Sequence, residues 1–161
     1  MTTTLSEQRV RRPKAHEKLI QQLMKDGDGP FPSMATTMLF AASVGFANDR
    51  WEEFTEAGEP IRYEVFRRYA TAEAFIDSLG VLRHPGDPSI LSEERLGERV
   101  TIFEGYANGG LNHIQGEINA SKSRVMDILL EMVRQAGRTR KESDLPLVLD
   151  QFFSPPDFTT S

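Results

Sequence analysis

The sequence predicts a mainly α-helical protein, a compact single-domain bundle of about five to seven helices, in which residues 61–66 form either a helix or a short strand. Three observations predict this class. The chain has 161 residues, of which 39% are hydrophobic, and this is enough to bury a core without disulfides or a structural metal. Apolar side chains recur mainly at helical spacing, and residues that start or stop helices separate the apolar segments.

The N-terminal part divides into an arm and a first helix. Residues 1–12 are polar and include three consecutive threonines, so we expect a flexible basic arm ahead of a helical domain over residues 13–137. Pro13 stands where the first helix would begin, since proline suits the first helical turn. The apolar face of that helix ends before the glycine-rich turn at residues 26–30.

The segment after Ser33 is apolar on nearly every side and has no charge over the fourteen residues that follow this serine. We expect a central buried helix, capped by the Ser33 hydroxyl. Five acids and one arginine between Asp49 and Glu59 then indicate a solvated loop. Trp51 and Phe54 would anchor that loop to the core.

We expect two shorter elements of secondary structure in residues 60–82. The side chains of residues 61–66 alternate as in a strand but also fit a helical stripe, and we favour a helix with Pro60 at its first position. Thr71 is typical of the N-cap of a second helix, which would end near Leu82.

The clearest periodicity lies in residues 88–118, where apolar side chains step by three or four positions and so lie on one face of a helix. Its Asp-Pro opening supplies a helix start. Gly105, Gly109 and Gly110 interrupt the segment, each at a cost of about 1 kcal/mol relative to alanine. Either a neighbouring backbone packs closely against these glycines, or the segment breaks into two helices near Gly109.

A last helix would be capped by Ser121 or Ser123 and would stop at Gly137. Five of its apolar side chains are expected to face inward: Val125, Ile128, Leu129, Met132 and Val133. We expect residues 138–161 to form a C-terminal tail that is partly docked, because it carries six large apolar side chains. They are Leu145, Leu147, Val148, Leu149, Phe152 and Phe153.

The composition and the motifs exclude several kinds of chemistry. The chain has no cysteine, which excludes disulfides, thiol nucleophiles, cysteine zinc sites and iron–sulfur ligation. His16, His84 and His113 do not stand at metal-ligand spacing, and phosphate-binding loops and nucleophile motifs are lacking, so we expect no catalytic residues, no cofactor and no metal. No apolar run is long enough for a membrane helix and the N-terminus is polar, so we expect a cytoplasmic protein without membrane contact.

Basic residues nevertheless cluster locally, although the net charge of −5 argues against a nucleic-acid-binding surface over the whole protein. One cluster lies in and after the arm, and a second follows the acidic loop. Guanidinium groups suit phosphate, so we take eight side chains as candidate phosphate or nucleic-acid contacts. They are Arg9, Arg11, Arg12, Lys14, Lys18, Arg62, Arg67 and Arg68. In the simpler interpretation, the arginines of the second cluster pair with acids of the loop, namely Glu52, Glu53, Glu56 or Glu59.

A candidate polar site lies within the glycine-interrupted segment. Asn108, Asn112 and His113 flank Gly109 and Gly110, where the absent side chains would expose the backbone to a ligand. A kink in the helix explains the two glycines as well, and we favour that interpretation.

Two blocks of sequence resemble a known family. They are Leu39–Phe46 (LFAASVGF) and Glu59–Phe66 (EPIRYEVF), separated by the acidic loop. The chain resembles the DNA phosphorothioation (Dnd) system-associated proteins, in particular the fourth such family, from about Pro13 to about Gln135. Members are encoded beside the machinery that replaces a non-bridging phosphate oxygen of DNA with sulfur, and beside restriction proteins that attack unmarked DNA. The resemblance implies a pathway and carries no catalytic residues.

Three hypotheses about function follow. The leading one is a non-catalytic accessory protein of a bacterial phosphorothioation-linked antiphage defence, which contacts other proteins of the system. This hypothesis leaves open whether the protein is a homo-oligomer. The alternative is a DNA-binding regulator or sensor that uses the basic arm and the arginine cluster. A nuclease or hydrolase would require folding to bring acids to His113 from positions that the sequence does not reveal.

Overall fold

The computed structural model describes Leu5 and residues 7–142, with the side chains of residues 139–142 left out. Over these residues the protein is mainly helical with a two-stranded antiparallel sheet, which confirms the predicted class. Short 3-10 turns precede α1 and α5. The elements are β1 (Arg9–Val10), α1 (Glu17–Leu23), α2 (Met34–Ala47), β2 (Ile61–Arg62), α3 (Tyr63–Arg67), α4 (Ala72–Arg83), α5 (Leu96–Ala120) and α6 (Val125–Glu142).

The centre of the protein is the pair formed by α2 and α5, which make the most extensive contact between elements. The predicted Ser33 cap of α2 is confirmed, because its hydroxyl accepts from the Thr36 N–H and the Thr36 hydroxyl accepts from the Ser33 N–H. This reciprocal cap satisfies two of the N–H groups that every helix start leaves free. The apolar segment behind it is therefore the buried central helix that its composition predicted.

Helix α5 runs without a break through its glycines, so the alternative of two helices near Gly109 is wrong, and neighbouring backbone packs closely against Gly109 and Gly110. A Cβ on Gly110 would overlap the carbonyl of Ala41, and a Cβ on Gly45 would overlap the carbonyl of Tyr106. The missing side chains let the two backbones approach each other. The helix starts at Leu96 and not at residue 88, because residues 88–91 and 93–95 form 3-10 turns.

The sheet joins the start of the described chain to the segment after the acidic loop. Arg9 pairs with Arg62 and Val10 pairs with Ile61, and the Val10 side chain is fully buried. The expectation of a flexible arm does not hold for residues 9–12, because they are built into the fold. Residues 61–66 combine both alternatives, a two-residue strand followed by a helix that starts at Tyr63 and not at Pro60.

The remaining helices cover this central pair. Helix α1 packs on α2, and α4 packs on α5. The Phe103 ring of α5 makes edge contacts with Phe66 of α3 and Phe75 of α4. The predicted anchoring of the acidic loop holds for Trp51, which is partly buried and donates from Nε1 to the Ile102 carbonyl at 3.0 Å. The loop is thereby fixed along one face of α5.

Helix α6 is attached to the rest of the protein mainly by its first turns. Val125, Ile128 and Leu129 are buried, whereas Val133, predicted to face inward, is 56% exposed. The helix continues through Gly137 to Glu142, so the predicted stop at Gly137 is wrong. The predicted tail beyond residue 142 lies outside the described residues. Within the described part of the chain, none of the helices has both the length and the hydrophobicity to cross a membrane.

Candidate functional site

The sheet brings two of the predicted phosphate contacts together. Arg9 and Arg62 are directly opposed across the antiparallel pair, so their side chains project from the same face. Both are exposed, and neither forms an ion pair with another described residue. Opposed like charges destabilise a strand pair. The register therefore concentrates positive charge on this face, where an anion would relieve the repulsion.

Arg11 and Arg12, by contrast, are engaged within the fold. The Arg11 guanidinium donates to Glu104 Oε2 from Nε at 3.0 Å and from Nη2 at 2.8 Å, and its backbone N–H donates to Glu104 Oε1 at 2.8 Å. Arg12 is buried and donates from Nε to the Glu59 carbonyl at 2.6 Å. Arg11 thereby joins the end of β1 to α5, and Arg12 joins it to the end of the acidic loop, so both guanidinium groups bind acceptors of the protein and not a phosphate.

The other basic candidates are spread over the surface. Lys14, Lys18 and Arg68 are exposed, and within residues 7–142 none of them has an ion-pair partner. Arg67 lies 3.4 Å from Glu73, with both side chains about half exposed. The predicted pairing of this arginine cluster with acids of the loop is not found among the described contacts, since Glu52 pairs with Arg50 instead.

The predicted polar site is divided between two faces of α5. Asn108 donates to the Glu52 carbonyl at 3.0 Å, and Asn112 donates to Glu52 Oε2 at 3.1 Å. The Oδ1 atom of Asn112 lies 2.7 Å from His16 Nε2 and accepts its hydrogen bond. His113, one residue further and about 100° around the helix, lies on another face.

His16 is the member of this network that the sequence reasoning missed. It is buried, and burial lowers the pKa of its imidazole below the usual value of 6.5, although the hydrogen bond with Asn112 and the charge of Glu52 act in the opposite direction. The neutral ring therefore donates from Nε2, which fixes its tautomer. Nothing in the spacing of His16 and Asn112, 96 positions apart, could have revealed the pair.

The buried charges of the protein have structural partners. Arg99 donates to Asp77 Oδ1 at 2.8 Å and to the carbonyls of Ile90 and Ser92, and Glu104 is held by Arg11. These contacts tie α4, the 3-10 turns and β1 to α5. Among the described residues, no group of histidines and acids is arranged to hold a metal ion. The buried charges therefore join other elements of the fold to α5.

An apolar groove lies between α2, α5 and α6, on the side of α5 that carries His113. It has a volume of about 730 Å³. Its apolar walls come from α2 on one side and from the second half of α6 on the other. The residues concerned are Phe40, Val44, Phe46, Ala47, Met132, Val133 and Ala136. The sequence indicated this groove only through the wide apolar face of α6, all of which was expected to face inward.

A family model described as DNA sulphur modification system-associated protein 4 matches residues 9–152, which is most of the chain. The match begins at the first residue of β1 and extends past the end of α6. No curated protein and no solved structure matches the chain.

Proposed function

The chain belongs to the family of DNA sulphur modification system-associated protein 4, and we propose that it serves that system as a non-catalytic accessory protein that binds other proteins of the system. The proposal places it in the cytoplasm, within a bacterial antiphage defence based on DNA phosphorothioation. The observation that carries the proposal is an uncovered apolar stripe on α6.

The stripe consists of Met126, Leu130 and Val133, which recur at helical spacing and lie on one side of α6. Leu130 is 45% exposed and Val133 is 56% exposed. A single exposed leucine is ordinary, but a row of apolar side chains on one helix is typical of a surface that a partner covers. The exposed stripe extends the buried face of α6, so a partner that binds there would enlarge the existing core.

The polar contacts agree with a non-catalytic role. His16, Arg99 and Glu104 all bond to groups that join elements of the fold. A catalytic acid, base or nucleophile needs a free partner position toward substrate. Arg99 and Glu104 have that position filled by the protein itself, and His16 Nε2 is bonded to Asn112. The Tyr63 hydroxyl is buried without a hydrogen-bond partner among the described residues, but burial raises its pKa to about 12, so it stays protonated.

Co-purification with the individual proteins of the sulfur-modification system tests the proposal. We expect Leu130→Glu to weaken the complex at least tenfold, because a charge replaces an apolar contact at the centre of the stripe. Leu82→Glu is the matched control, since Leu82 is 59% exposed on α4 and belongs to another surface. If the native chain binds none of these proteins at micromolar concentration, the proposal is overturned.

The register of Arg9 and Arg62 supports a second candidate function, a DNA-binding regulator or sensor. Two opposed, exposed guanidinium groups could each contact a phosphate of the DNA backbone. We expect the affinity for duplex DNA to fall steeply with salt, and the slope of log K against log salt to decrease by about 2 in the double variant Arg9→Gln/Arg62→Gln. Arg124→Gln, an exposed arginine next to α6, is the control. Absence of binding to plain, nicked and sulfur-modified duplexes at low salt would remove this candidate.

A further inference from the structure

We infer that the groove between α2 and α6 is the docking site of the chain's own C-terminal segment, residues 145–153. This segment is the apolar part of the predicted tail, and it follows α6 after two residues. The occupant proposed is therefore a part of the same molecule. The groove and the partner-binding stripe share Val133, but Met126 and Leu130 of the stripe do not line the groove, so the two proposals can be tested separately at Leu130.

The groove has the character of an incomplete core. Met132, Val133 and Ala136 of α6 line the groove on one side, and Val44 and Ala47 of α2 line it on the other. Met132 also packs partly on the core, whereas Val133 is 56% exposed. Phe46, at the end of α2, is 42% exposed while its ring edge packs on Tyr106. An apolar opening of about 730 Å³ between two helices of one chain calls for apolar side chains to fill it.

The segment after α6 has the matching chemistry. Six of its nine residues are large and apolar, and its only charge is Asp150. Burying each such side chain contributes roughly 1.5–3 kcal/mol relative to leaving it in water. The tail that follows α6 therefore gains by covering apolar surface, and the groove offers such surface on the second half of α6 itself.

The connection is short enough for the segment to return. Glu142, the last residue of α6, lies six residues beyond Ala136, which is about 9 Å along the helix axis. Pro146 disfavours continuation of the helix into the segment. Nine extended residues span about 30 Å, which exceeds the distance back to the groove several times.

The extent of the family match is an independent argument. The match ends at residue 152, ten residues beyond α6, and so covers all but the last residue of the apolar segment. The family pattern thus treats the segment and the helical domain as one unit. A segment that only linked this domain to something else would not need to share the pattern of the folded part.

A crosslinking experiment tests the inference on the full chain, which has no natural cysteine. In the variant Ala47→Cys/Leu149→Cys, a short bis-maleimide should join the two thiols within one molecule at least tenfold faster than in the control Leu82→Cys/Leu149→Cys. Equal rates in the two variants would overturn the inference. Crosslinked dimers in place of crosslinked monomers would overturn it too, since the groove would then hold a second copy.

Hydrogen exchange provides a second measurement without cysteines. We expect the amides of residues 145–152 to exchange at least tenfold more slowly than unprotected amides, and Ala136→Glu to abolish this protection while α4 is unchanged. Unprotected exchange of this segment in the folded native chain would contradict the inference. Leu130→Glu should leave the protection intact, so loss of partner binding and loss of tail docking are separate results.

Discussion

Helices α5 and α6 follow one another in the chain but are packed in opposite ways. Helix α5 touches α2 along backbone atoms, at Gly45 and Gly110, and its middle is buried on all sides. Helix α6 buries only Val125, Ile128 and Leu129 fully and leaves an apolar stripe in solvent. Helix α5 therefore stabilises the fold, whereas α6 has exposed apolar surface that can bind another segment or protein.

The glycines of these two helices also differ in their structural role. Gly110 lies where a carbonyl of α2 occupies the position of a side chain, but nothing lies within 4 Å of the positions that a Cβ would take on Gly116 and Gly137. The first glycine is required by a neighbouring backbone. The other two only reduce the helix propensity of their segments.

The largest expected effect comes from Gly110→Ala. The added methyl group would overlap the Ala41 carbonyl, and backbone cannot rotate away as a side chain can. We expect the free energy of unfolding to fall by about 3 kcal/mol, since overpacking outweighs the gain in helix propensity. Urea unfolding followed by the fluorescence of Trp51, the single tryptophan, measures this change.

Gly116→Ala is the matched control in the same helix. Its Cβ would meet no neighbouring atom, so we expect stability to rise by up to about 1 kcal/mol. If both substitutions change stability equally, the close approach of α2 and α5 is not what Gly110 provides.

A smaller effect is expected when the ion pair between Arg11 and the buried Glu104 is removed. Glu104→Gln keeps the shape of the side chain but replaces one of its two acceptor oxygens with an NH2 donor, so either the Arg11 guanidinium or the Arg11 N–H loses its acceptor. Because Arg11 is 42% exposed and water can replace part of the lost contact, we expect a loss of about 2 kcal/mol. Urea unfolding of the variant again provides the measurement.

The exposed ion pair of Glu131 and Arg134 on α6 is the control for this substitution. Glu131 lies 3.9 Å from Arg134, and both side chains are largely exposed. Glu131→Gln should change the free energy of unfolding by less than about 0.5 kcal/mol. A loss for Glu104→Gln no greater than this would show that β1 is not held to α5 by its ion pair.

The sequence predicted best where one local pattern decides the structure. Helix α2 starts at the predicted serine cap because the cap and the run of uncharged residues lie in one segment. The two-residue pairing of Arg9–Val10 with Ile61–Arg62 could not be foreseen, since it joins chain segments about 50 residues apart and β1 is too short to show a pattern. Residues 9–10 were therefore expected to belong to a flexible arm, whereas they form β1.

The candidate site was predicted only in its residue types. Asn112 was one of the predicted polar-site residues, but its partner His16 lies in the 3-10 turn before α1 and was set aside as an isolated histidine. Arg9 and Arg11 are two positions apart and looked equivalent, yet only Arg11 has a carboxylate of α5 in reach. Long-range contact decides which of two similar charges is available to a ligand.

The smallest expected effect concerns the end of α6. Gly137 was predicted to stop this helix, but the helix continues past it and a Cβ there would meet nothing within 4 Å. We expect Gly137→Ala to raise the free energy of unfolding by about 0.5–1 kcal/mol, or to add helix without changing the global midpoint if the end of α6 unfolds on its own. Far-ultraviolet circular dichroism and urea unfolding together distinguish these two results. A loss of both helix content and stability would show that glycine is needed at position 137 after all, and that the second half of α6 is shaped by a contact as specific as those of α5.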